Sequence, residues 1–146
     1  MKSTLYKQTG VMLLEGLIAV LVFSVGILAM VGLQAAAIKN SSDATYRSEA
    51  SYMANQILAQ MWADQANLAS YKLNDTDANA CVAGANTSNY AGVQGWLAND
   101  IGRLPGTANL HQRIVIAASN VVTVTLCWKG PQEIGFHNFV ASAQIN

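Results

Sequence analysis

The sequence predicts an α+β protein: one long N-terminal helix, apolar through its first half and packed through its second half on a small antiparallel sheet. Three observations predict it. Val11 to Leu33 is a 23-residue apolar stretch with a single charge, Glu15. From Tyr46 to Met61 apolar residues recur every three or four positions, the period of a helix with one buried face. Beyond Arg113, three short segments are rich in β-branched residues or alternate apolar with polar, the pattern of strands. Pro105 is the first proline, so nothing forbids a helix from about Val11 to about Ala66.

Composition narrows the function classes. The chain has 146 residues, enough for one domain with a modest core. Hydrophobic residues make up 52% and charged ones 11%, against about a quarter charged in an ordinary soluble domain. The deficit is local, because the apolar stretch accounts for most of it. Net charge is zero and no run of Lys or Arg occurs, so the chain lacks the electrostatic footprint of a nucleic-acid binder and no nucleic acid is required as a partner.

The apolar stretch comes first. As a helix it spans roughly 34 Å at about 1.5 Å per residue, enough to cross a hydrocarbon core of about 30 Å. Lys2 and Lys7 precede it, in a short polar segment ending Gln8-Thr9-Gly10. Basic residues on that side predict a cytoplasmic N-terminus and an extracytoplasmic remainder. Three readings compete. One is a secretory signal cut near Ala35-Ala36-Ala37, although its apolar region is longer than the usual 7 to 15 residues or so. Another is a plain, uncleaved membrane anchor carrying a binding module. Neither accounts for Glu15. A carboxylate in an apolar helix costs about 2.5 to 3.5 kcal/mol near the bilayer centre and less near an end, so the charge calls for a partner.

The third reading supplies one. Gly10-Val11-Met12-Leu13-Leu14-Glu15, continuing Gly16-Leu17-Ile18-Ala19-Val20-Leu21-Val22, resembles the leader junction of type IV prepilins and type II secretion pseudopilins. Membership of that family implies cleavage after Gly10 by a membrane prepilin peptidase, which also methylates the new N-terminus, here Val11. The new cationic amine can pair with the Glu15 carboxylate of a neighbouring subunit inside a low-dielectric helix bundle, where an unpaired charge is expensive. Many relatives carry Phe where this chain has Val11. Loss of Lys2 and Lys7 from the eight basic residues would leave six, against eight acidic ones. The predicted organisation is a leader at 1–10, a transmembrane and filament-core helix half at 11–33, an amphipathic half at 34–66, and a globular domain at 67–146.

In the second helix half, Tyr46, Ala50, Met53, Ile57 and Met61 form the core-facing stripe, with Arg47, Glu49, Gln56, Gln60 and Asp64 on other positions. Gly26 and Gly32 either let the helix bend or melt on leaving lipid or permit close helix contact. Asn67 to Gln94, rich in Asn, Asp, Ser, Thr, Ala and Gly, reads as a long loop with little regular structure. Gly92 to Leu104 reads as a short helix with Trp96, Leu97 and Ile101 on one side, ended by Leu104-Pro105-Gly106. Arg113 to Ala117 is the first strand and Ser119-Asn120 a turn. Val121 to Trp128 is the second strand, with Val122, Val124, Leu126 and Trp128 on one face. After the turn signal Lys129-Gly130-Pro131, alternating Phe139, Ala141, Ala143 and Ile145 mark the last strand. A three-stranded sheet with one apolar face needs a cover, and the striped helix half supplies it.

Gly32-Leu33-Gln34, Tyr46-Arg47-Ser48-Glu49-Ala50, Met53-Ala54, Trp96-Leu97 leading to Leu104-Pro105-Gly106, and the strand ending at Trp128 resemble the PilV family of minor pilins, the type IV pilus modification proteins. That resemblance implies a low-copy subunit that helps start pilus assembly. Its implied partners are other minor pilins, the major pilin, the prepilin peptidase, the membrane and the inner-membrane assembly machinery. It also implies a single pass through the inner membrane, a periplasmic C-terminal domain, and incorporation into the surface pilus. A minor pseudopilin of a type II secretion system shares the leader and fold plan and stays open as an alternative.

An extracytoplasmic domain sits in an oxidising compartment, so Cys81 and Cys127 are expected to pair; two buried thiols are the alternative. No catalytic role is expected. His111 and His137 are the only histidines, and among these and the two cysteines no pair stands at the short spacing usual for metal sites, so neither a metal nor another cofactor is expected. G-x-S-x-G, a phosphate-binding glycine loop and paired catalytic carboxylates are all missing. Asp75 and Asp77 lack the rest of a calcium-binding loop and read as a solvated turn.

Overall fold

The computed structural model describes residues 9–76, 81–131 and 133–146. Lys2, Lys7 and most of the predicted leader lie outside the described residues, as does Asp77. Helix α1 runs Thr9–Ala63. The chain divides into two compact units, Met1–Ser42 and Asp43–Asn146, so the boundary falls within α1. Both Gly26 and Gly32 are helical, and a Cβ on either would meet nothing within 4 Å.

The second unit is an α+β arrangement of the pilin-like plan: the distal part of α1 packs on a small antiparallel sheet. Helix α2 spans Ala91–Asn99, and strands β1 (Arg113–Ile116), β2 (Val121–Trp128) and β3 (His137–Gln144) follow. Sheet order is β1-β2-β3, both pairs antiparallel, with Ile114 opposite Val124 and Leu126 opposite Phe139. The predicted stripe is the helix side of the core: Ala50, Met53, Ile57 and Met61 are buried and Tyr46 packs against them. Ala54 and Leu58 widen that face. They meet Val122, Val124, Leu126 and Trp128 from β2 and Ile114 from β1. Trp96 of α2 enters the same core, and its indole Nε1 donates to the carbonyl of Met53 at 3.1 Å, which fixes α2 to α1.

Asp64, just past α1, anchors the helix end. Its carboxylate accepts from Asn67 Nδ2 at 2.7 Å, from the Tyr71 hydroxyl at 3.1 Å, and from the Tyr90 hydroxyl. Hydrogen bonds from Tyr90 above all, then Asn67 and Tyr71, hold the Asp64 carboxyl below the usual carboxylate range. Burial, followed by the Asp64 hydrogen bond, pushes the Tyr71 hydroxyl up. The two tyrosine rings lie 4.7 Å apart. This cluster brings the residue before α2 onto the end of α1.

Among its described residues, the segment 67–94 is more ordered than its composition predicts. A 3₁₀ segment, Gln65–Tyr71, buries Leu68 and Tyr71. Leu73 bridges Ile114 on the outer side of β1, and Ala83 bridges Leu110. Asn86 fastens the two ends: its Oδ1 accepts from the Gln112 backbone N–H at 2.7 Å and from Asn74 Nδ2 at 3.0 Å, and its Nδ2 donates to the Leu110 carbonyl at 2.7 Å. Polar residues that look like solvated loop therefore do the stitching. The helix read from Gly92 to Leu104 is α2 followed by a 3₁₀ turn, Ile101–Arg103. Gly106 follows with φ 67°, the left-handed region that glycine enters without steric cost.

Gln112 is the one fully buried long polar side chain among the described residues. Pairing of β1 with β2 ends at Arg113 opposite Thr125. Past it, the Gln112 Oε1 accepts from the Cys127 N–H at 2.7 Å, and its Nε2 donates to the Cys127 carbonyl at 3.0 Å. The side-chain amide thus stands in for a strand. Gln112→Leu strands both backbone groups in the core at about 1–3 kcal/mol each. The expected result is a loss of about 3 kcal/mol, checked by urea unfolding of the full chain in detergent followed by tryptophan fluorescence; an unchanged midpoint contradicts it.

Candidate functional site: the apolar helix and its one carboxylate

Among the described residues, the first part of α1 presents apolar side chains at its surface. Residues 10–41 are all exposed, and none of the most apolar window is buried. A core helix of a soluble domain would bury most of such a window. This one is long and apolar enough to cross a membrane. A surface of this kind is stable only against lipid or against other apolar helices.

Within that surface the neighbours Gly10 and Val11 lie about one turn before Glu15 in α1. Val11 is 63% exposed, and a Cβ on Gly10 would meet nothing within 4 Å. Val11 and Glu15 are four residues apart and share a helix face. Glu15 is exposed, and no charged residue follows it until Lys39. The geometry offers a carboxylate on an apolar cylinder.

Cys81 and Cys127 form a disulfide, with Cα atoms 5.3 Å apart. Cys127 is buried in β2. Cys81 adopts φ 66°, a conformation that costs a residue with a side chain about 1–3 kcal/mol, and backbone bonds between 81–84 and 109–111 help hold it there. Oxidation takes both cysteines out of any ligand set with His111 and His137. The groove beside α2 is lined by Leu97, Ile101, Leu104 and Pro105; its hydroxyl, that of Thr107, is held by the carbonyls of Ile101 and Leu104 at 3.1 Å each.

Comparison with protein-family models, with curated proteins and with solved structures finds no match to this chain.

Proposed function

We propose that this chain is a minor pilin of the PilV type, which helps initiate assembly of a type IV pilus after a prepilin peptidase cuts between Gly10 and Val11 and methylates Val11. One observation carries the proposal: an exposed apolar helix bears a lone carboxylate at the fifth residue after the Gly10–Val11 junction. Before assembly the helix sits in the inner membrane with the sheet domain in the periplasm. Extraction then exchanges lipid for neighbouring pilin helices. Glu15 sets the register by accepting the Val11 amine of the next subunit, and the other minor pilins and the major pilin are the partners.

Deleting the gene in its host should reduce surface pili several-fold, and a tagged copy should appear in the sheared filament fraction. Normal piliation with a secretion defect would assign the chain to the pseudopilins instead. A tagged copy confined to the membrane, with both piliation and secretion normal, would leave only an anchored module.

A further inference from the structure

The connection from β2 to β3 turns back on itself so that Glu133 reaches His137, the first residue of β3. Glu133 Oε2 lies 2.6 Å from His137 Nε2. The Glu133 side chain is only 13% exposed and that of His137 39%. Gly130 makes the tuck feasible, since a Cβ there would sit 2.5 Å from a Glu133 carboxylate oxygen. The His137 ring stacks on Trp128, its partner across the β2–β3 ladder, with centroids 5.7 Å apart and planes 17° from parallel. A buried aromatic neighbour thus sets the direction of the imidazole.

A third donor arrives from the helix. Ligand atoms of Asp43, Glu133 and His137 all lie within 4.8 Å of one another, and all three residues are half-buried. A hydrogen-bonded Glu–His pair accounts for two of them. It does not account for Asp43, a second carboxylate held beside the first, where like charges repel. A divalent cation between the three groups converts that repulsion into coordination.

We propose that Asp43, Glu133 and His137 bind a first-row divalent transition ion, Zn²⁺ foremost. One imidazole nitrogen with two carboxylate oxygens is a donor set that such ions accept, whereas Ca²⁺ and Mg²⁺ favour oxygen alone. The ion takes the place of the Glu133–His137 hydrogen bond, the imidazole binding it through an unprotonated ring nitrogen and both carboxylates through oxygen, and water completes the coordination. Bound there, it ties α1 to the start of β3.

The full chain, purified in detergent with its disulfide intact and stripped with EDTA, is titrated with Zn²⁺ by calorimetry and with Co²⁺ by visible absorption. One saturable site per chain is expected, undisturbed by millimolar Ca²⁺. Asp43→Asn, Glu133→Gln and His137→Gln should each weaken it by about tenfold or more, since loss of a mere outer-sphere partner already costs about 10–100-fold. Asp75→Asn, at a half-buried acid elsewhere whose partner is Lys72, should leave it unchanged. Retained circular dichroism and a retained disulfide show that each variant is folded. Absence of saturable binding at about 1 mM ion, equal binding by the three variants, or displacement by Ca²⁺ overturns the site. So does a parent that binds no ion while Glu133→Gln lowers its melting temperature, because the cluster is then only a hydrogen-bonded pair.

Discussion

Replacing Glu15 by valine should leave the chain in the membrane and remove it from filaments. The two halves of this result have different causes. In lipid the carboxylate is a liability of up to about 2.5 to 3.5 kcal/mol, less near a helix end, so valine makes insertion easier. In the proposed filament the carboxylate answers the amine of a neighbouring Val11. Removing one partner of a buried ion pair leaves the other charge stranded, at about 3–5 kcal/mol. Each 1.4 kcal/mol or so is a factor of ten, so incorporation should fall more than tenfold. The ratio of tagged protein in sheared filaments to that in the membrane reads this out. Glu15→Gln, which keeps the shape but not the charge, should behave like valine. Normal incorporation of either variant would remove the role given to Glu15.

Opening the disulfide should have the largest effect on the folded domain. Cys81 and Cys127 are 46 positions apart, and the chain-entropy relation for a loop of that size gives about 4 kcal/mol. Reduction leaves the 81–84 segment tied mainly by backbone bonds to 109–111 and frees Cys81 from a left-handed conformation. The double variant Cys81→Ala, Cys127→Ala should unfold at a urea concentration lower by about 2 M, for a slope near 2 kcal/mol per M. Coincident unfolding curves for the variant and the oxidised parent would contradict this.

The legible parts of the fold are those written in side-chain period. The stripe from Tyr46 to Met61 and the alternation from Val122 to Trp128 are consequences of burial on one face, and the helix and β2 follow them. Burial on both faces hides itself. Thr125 and Cys127, on the other side of β2, are also buried, and the Cys81 disulfide and the Gln112 amide reach Cys127 on that side. The 67–94 segment was illegible for a related reason: its order comes from backbone bridges at Leu73 and Ala83 and from the amides of Asn74 and Asn86, and neither leaves a period. The Asp43–Glu133–His137 cluster was half legible. Glu133 and His137 stand four apart across a turn and their spacing could have been noticed, but nothing in the sequence announces that α1 carries Asp43 to them.

Everything proposed for the apolar helix depends on an amine at residue 11. Mass spectrometry of the N-terminal peptide, taken from protein recovered in sheared filaments, tests this most directly. The account predicts a peptide beginning at Val11 and heavier by one methyl group. A peptide beginning at Met1, or one beginning near Ile38, would contradict it, since Glu15 would then have no such partner or would itself be gone.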